Sequence, residues 1–230
     1  MALPFSSIMP PFMSRLMRHF STTSPSLPVT PESLAARGFP ENAQVATIAA
    51  GCFWGVEHLY RQNFGSGKGL LDAKVGYCGG DTTHPTYRSV CTGETGHAEA
   101  LRIIFDPSLV TYRQLLEFFF RMHDPTTLNR QGGDVGTQYR SAIFTHGEEQ
   151  QKIAEEIKER VAKEWWKRRV TTLVVPADQW WDAEDYHQLY LDKHPGGYEC
   201  PAQWVFPSLS PLPASAPRLR LADRVLPLRT

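Results

Sequence analysis

Ala43-Gln44-Val45-Ala46-Thr47-Ile48-Ala49-Ala50-Gly51-Cys52-Phe53-Trp54-Gly55-Val56-Glu57-His58-Leu59-Tyr60-Arg61-Gln62 is the stretch on which the reading of the fold turns. Six of its first seven residues, all but Gln44, are small or β-branched, which predicts a strand over 43–49. Ala50-Gly51 breaks the run. From Cys52 to Gln62 the apolar side chains fall at Val56, Leu59 and Tyr60, one face of a helix. A thiol that opens a helix meets unpaired N–H groups and the positive end of the helix dipole. Both favour thiolate, so Cys52 is the candidate nucleophile and a lowered pKa is expected. The aromatic pair Phe53 and Trp54 suggests a small apolar pocket beside it. Read alone, such a cysteine is more readily a small buried hydrophobe, with Phe53 and Trp54 as core.

Outward from this unit the pattern stays mixed. Leu70–Tyr77 reads as a second strand, entered from the glycine-rich turn 65–69. His97–Phe105 alternates and stops at Asp106-Pro107, as a strand does. Tyr112–Met122 is an apolar helix and Tyr139–Phe144 a further strand. Gly147–Trp166 is a long charged helix with a stripe at Ile153, Ile157, Val161 and Trp165. Thr171–Val175 reads as a short strand. Asp182–Leu191 reads as a short helix closing on His194-Pro195-Gly196-Gly197. No internal repeat is present. No GxGxxG or GxxxxGK loop is present either, so nucleotide binding has no support.

Composition narrows the function. The chain has 230 residues, 41% hydrophobic and 21% charged, enough for a packed core. Lys plus Arg and Asp plus Glu both number 24. A balanced charge argues against a bulk binder of nucleic acid or anionic membrane. No run approaches the roughly 18 apolar residues of a membrane helix. Residues 1–31 hold six prolines, Arg15, Arg18 and no acid, and are rich in Ser and Thr. They are expected to be disordered and to act as a mitochondrial transit peptide. Arg18-His19-Phe20-Ser21 resembles a processing-peptidase site. Residues 207–230, with five prolines, are expected to form a disordered tail. Residues 40–206 are the expected catalytic domain.

Cys52, Cys78, Cys91 and Cys200 stand 26, 13 and 109 residues apart. Without a CxxC pair there is no signal for a zinc site or a thioredoxin-type motif. The residues alone leave two other functions open. One is a cysteine hydrolase in which His97 or His187 serves Cys52 as base. The other is a binding module with an aromatic pocket.

Gly51-Cys52-Phe53-Trp54-Gly55-Val56-Glu57 resembles the active-site motif of the A-type peptide methionine sulfoxide reductases. Further blocks resemble that family in the same order. They are Val75-Gly76-Tyr77 with Gly79-Gly80, Pro85-Thr86-Tyr87, Thr95-Gly96-His97-Ala98-Glu99, His123-Asp124-Pro125-Thr126-Thr127, and Gly133 through Ser141. The resemblance spans about residues 44–204. It implies an α+β fold, a ferredoxin-like mixed sheet flanked by helices with long wrapping loops. It implies reduction of methionine S-sulfoxide, free and in proteins, with thioredoxin as reductant, no metal and no organic cofactor. The protein would be a mitochondrial and/or cytoplasmic monomer that repairs oxidised methionine.

The roles the resemblance implies are specific. Cys52 attacks the sulfoxide sulfur and Glu99 is the general acid. Tyr87 and Tyr139 hydrogen-bond the sulfoxide oxygen. Phe53 and Trp54 cage the methyl group, and Asp134 lies near the pocket. Cys200 is the resolving thiol that forms a disulfide with Cys52. No cysteine follows it, which argues against a three-thiol relay. His97, two residues before Glu99, is expected on the same side of a strand, as a substrate-pocket residue that orients Glu99 or as a structural one. Glu57 is expected to stabilise the first helix turns, Cys91 to be structural, and Cys78 to be an incidental buried thiol.

Overall fold

The computed structural model describes residues 29–206. Of the expected transit peptide only residues 29–31 are described, and the expected Pro-rich tail, 207–230, lies wholly outside the described residues. Six strands form one sheet, in the spatial order Leu173–Pro176 (β7), Ser141–Thr145 (β6), Gln44–Ala50 (β1), Ala98–Phe105 (β3), Leu70–Cys78 (β2) and Trp181–Asp182 (β8). The central four are β1 (Gln44–Ala50), β2 (Leu70–Cys78), β3 (Ala98–Phe105) and β6 (Ser141–Thr145), each antiparallel to its neighbour. Helix α2 (Phe53–Phe64) crosses from β1 to β2, and α4 (Tyr112–Arg121) from β3 to β6. Each crossover skips a strand that another segment fills. That is the ferredoxin-like plait. Helix α5 (Glu148–Val161) then carries the chain to β7 (Leu173–Pro176), which pairs in parallel with β6. The two-residue β8 (Trp181–Asp182) closes the other edge against β2.

Alternation along the strands makes two faces. One sends Ala46, Ile48, Val75, Tyr77, Leu101, Ile103 and Phe105 against the apolar sides of α2, α4 and α5. The stripe of α5 buries Ile157 and Val161 fully, with Ala154 beside them. Among the described residues no large helix covers the other face. Leu34 of the short α1 (Pro31–Ala36) covers Val45 and Ile104, and Trp180 covers Ala49, Ala100 and Phe144. These are the wrapping segments. A hairpin of β4 (Arg130–Gln131) and β5 (Asp134–Val135) lies apart from the main sheet.

Three expectations are corrected. Asp182–Leu191 is not a helix. Asp182 is held in β8 opposite Gly76, and its carboxylate takes Arg102, Lys74 and the Trp180 indole N–H. Gln188 bonds both the N–H and the C=O of Val75, and only Tyr190–Lys193 (α6) is helical. Tertiary hydrogen bonds replace the local ones that a helix would have made. Tyr139 lies in a 3-10 turn, Thr137–Tyr139, just ahead of β6. The long helix after Gly147 leaves α geometry at Ala162 for a π turn that ends in left-handed Lys167.

Candidate active site

The site forms where β1 delivers the chain into α2. Gly51 has φ +88°, and a Cβ there would stand 2.6 Å from Gln131 Cγ. Only glycine tolerates both. The bend sets Cys52 at the start of α2, 7% exposed. Glu99 of β3, opposite Tyr77 of β2, points to the same helix start. The Phe53 N–H donates to its Oε2 at 3.0 Å. Burial pushes the Glu99 carboxyl up to about 8, and the nearby Asp134 charge adds to this. At neutral pH it carries a proton that it can donate.

The Cys52 thiol departs from the expectation of a lowered pKa. Burial first, then the Glu99 and Asp134 charges, push it well above the ordinary range, while the Trp54 N–H pulls it back. A helix start is worth about 0.3–1 kcal/mol, less than one pKa unit. Full burial moves a group by up to about 3–5 units, so burial wins. The resting pocket therefore holds thiol. Proton-bearing Glu99 removes the largest charge that opposes ionisation.

Tyr87 and Tyr139, both half-buried, feel the same carboxyl. Burial and then the Glu99 charge raise both phenols, so they are neutral donors. Tyr87 opens the short helix α3 (Tyr87–Val90). The walls are aromatic. Trp54 stacks on Tyr190, with centroids 3.7 Å apart and planes at 12°. Its indole N–H donates to His187 Nδ1 at 3.0 Å. The His187 ring lies 5.1 Å from Phe53 and 4.5 Å from Tyr87.

Asp134 and Cys200 come in from the far side. The Tyr198 hydroxyl donates to Asp134 Oδ1 at 2.8 Å, and Cys200, 2% exposed, bonds the Gln131 carbonyl at 3.6 Å. Burial pushes the Cys200 thiol up to about 11, and the Asp134 carboxylate adds to it. Gln203 Nε2 staples this segment to the carbonyls of Ala50 and Cys52, at 2.7 and 2.9 Å. It does so over Gly55, where a Cβ would strike Gln203 Oε1. All four cysteines are free thiols.

The structure thus gathers Cys52, Phe53, Trp54, Tyr87, Glu99, Asp134, Tyr139 and Cys200. It does not bring His97 in. β3 starts at Ala98, so the alternation does not reach back that far, and His97 Nε2 bonds the Thr82 carbonyl at 2.7 Å. Cys78 is core on the opposite face of the sheet. Cys91, expected to be structural, is exposed, one helical turn beyond Tyr87 and facing its hydroxyl. Glu57 does more than steady α2. It pairs with Arg61 and accepts the Leu189 N–H at 2.8 Å, pinning the 183–191 loop. Sequence reasoning missed Glu184, Tyr190, Tyr198 and Gln203. The signal was the density of polar and aromatic residues around His187, which a helix would have scattered over all its sides. Among the described residues no three His, Cys, Asp or Glu side chains cluster to hold a metal, and no histidine is bonded to Cys52.

A family model described as peptide methionine sulfoxide reductase matches residues 44–206. A Schizosaccharomyces pombe relative named a probable peptide methionine sulfoxide reductase is 54% identical over 163 residues, covering 70% of this chain and 96% of that one. The crystal structure of Mxr1 from Saccharomyces cerevisiae in reduced form is similar with TM-score 0.68 and 43% identity, covering 73% of this chain and 94% of that one. Mxr1 in complex with Trx2 matches with TM-score 0.50 and 29% identity, over 73% and 92% of the two chains.

Proposed function

The chain belongs to the peptide methionine sulfoxide reductase family, an oxidoreductase family, and from that premise we propose how its own residues perform the reduction and which substrate form they take. The substrate is the S epimer of methionine sulfoxide, free or within a protein. Its methyl group sits against Phe53 and Trp54. Its oxygen accepts hydrogen bonds from Tyr87, Tyr139 and protonated Glu99, which stabilise the charge that grows there. The Cys52 sulfur attacks the sulfoxide sulfur. With Glu99 as acid, the oxygen passes to Cys52. Thiol plus sulfoxide becomes sulfenic acid plus thioether, and the proton count at Glu99 is restored. The Cys200 thiol then attacks the Cys52 sulfur, water leaves, and a disulfide joins the two. Thioredoxin supplies two electrons and two protons to reopen it. The yeast relative captured with Trx2 supports this last step.

One observation carries the reading: a carboxyl held neutral to about pH 8 at the same helix start as the buried thiol, with two neutral phenols within reach of its charge. A hydrolase would need a base on Cys52. His187 spends Nδ1 on Trp54, and His97 is bonded elsewhere. We further propose repair of oxidised protein methionine as the physiological role, carried out by a monomer. The proposed address, mitochondrial and/or cytoplasmic, rests on the composition of residues 1–31.

The test is a single turnover of reduced protein without reductant, run separately on the S and R epimers. Methionine released from S alone, with a mapped Cys52–Cys200 bridge, is the expected result. No methionine from either epimer by folded protein would overturn it.

A further inference from the structure

Glu184 lies outside every motif discussed above, yet it touches both sides of the pocket. The residue is 7% exposed. Oε1 accepts the backbone N–H of Tyr87 at 2.9 Å, at the first position of α3. Oε2 accepts the Tyr77 hydroxyl at 2.8 Å and lies 3.9 Å from His187 Nε2. On its far edge His187 accepts the Trp54 indole N–H. An indole can only donate, so Nδ1 must be bare and the ring proton sits on Nε2, facing Glu184. His187 is 1% exposed and wedged among Phe53, Trp54, Tyr87 and Tyr186.

From this we infer that Glu184 is a positioning residue for the reductase reaction, setting the sulfoxide-oxygen side of the pocket through Tyr87 and the methyl side through the His187 tautomer and Trp54. The inference rests on the methionine sulfoxide reading above. The carboxylate suits the task because it offers acceptors on both oxygens. One oxygen holds the Tyr87 backbone N–H, while the other, bonded to the Tyr77 hydroxyl, attracts the imidazole N–H across 3.9 Å by charge, with no hydrogen bond between them. A wrong tautomer would present N–H to N–H at Trp54 and push the indole off Tyr190.

Glu184→Gln separates the two sides. The Tyr87 N–H can only donate, so the amide oxygen must remain there. The new NH2 then faces Tyr77 and His187. The Tyr77 hydroxyl can reverse and accept. At 3.9 Å from His187 Nε2 the NH2 replaces a charge that attracts the ring proton with a dipole that repels it, which shifts the proton towards Nδ1 and weakens the bond from Trp54. The methyl side loosens while the Tyr87 side stays.

The experiment pairs a spectrum with a rate. The indole N–H resonance of Trp54, assigned by its loss in Trp54→Phe, is read in reduced full-length protein. The single-turnover release of methionine from an S-sulfoxide peptide is followed against peptide concentration. For Glu184→Gln we expect a shifted Trp54 resonance and a half-saturating concentration raised roughly fivefold, the net effect of one lost hydrogen bond. The saturated rate should stay within about twofold. His187→Phe should give the same shift and the same rise. The double variant should add little, because both changes cut one linkage. An unmoved resonance with unchanged half-saturation in Glu184→Gln would overturn the inference. So would fully additive effects in the double variant. If wild-type protein released no methionine, the reading of the reaction would fail, while the resonance would still report on the Glu184–His187–Trp54 linkage.

Discussion

Cys52, Glu99 and Cys200 are separable by substitution because the proposed reaction gives each a different bond to handle. Glu99→Gln keeps shape and removes the acid, so methionine release should fall about 10²–10⁴-fold. In wild-type protein single-turnover release should decline as pH rises through about 8, where Glu99 loses its proton. The variant should lack that limb, and a stopped pH series compares them. Stability follows the same sign. The folded carboxyl keeps its proton to about 8, while an unfolded one ionises near 4.5. Its contribution is complete below 4.5 and lost as pH climbs to 8, so urea midpoints of Glu99→Gln should depend less on pH over that window. Cys200→Ser should still release one methionine per chain and should then stall with thioredoxin present. A sulfenic-acid trap should label Cys52 in the stalled protein. Continued thioredoxin-driven turnover would move resolution to another thiol.

Among elements, α2 owes its position to two glycines used differently. Gly51 needs a positive φ and clearance from Gln131, so Gly51→Ala should cost about 2 kcal/mol, read from urea unfolding. Gly55 is the floor on which Gln203 rests. Gly55→Ala should favour the helix itself by about 1 kcal/mol. It should also unseat Gln203 and slow the Cys52–Cys200 bridge, with methionine release unchanged, as timed quenching and disulfide mapping would reveal. Helices α4 and α5 were legible because their apolar positions recur at helical spacing over ten residues or more. β8 and the loop to α6 were not. Two paired residues carry no period, and the segment's order comes from Gln188 on Val75 and Glu57 on Leu189, contacts more than 100 residues apart in sequence.

At the scale of the molecule, one face of the sheet carries the chemistry and the other is closed by irregular chain. Leu34 sits on that second face, 2% exposed, over Val45 and Ile104. Leu34→Ala should cost about 2–4 kcal/mol and lower the melting temperature, with the single-turnover rate unaltered. A loss of rate in a folded variant would mean the two faces are coupled. The sequence by itself determined the strand–turn–helix unit, the main helices, the mixed sheet and, through motif order, the family and most of the side chains proposed to react. Those properties are local, or they are residue types at positions a motif carries. Tertiary structure alone decided the protonation of the site. The balance between helix dipole and burial at Cys52 depends on how much chain covers it, and the proton on Glu99 depends on what surrounds β3. It also decided that His97 stands outside the pocket and that Glu184 stands within it. Those assignments rest on where a strand begins and on hydrogen bonds between distant segments, which no spacing along the chain encodes.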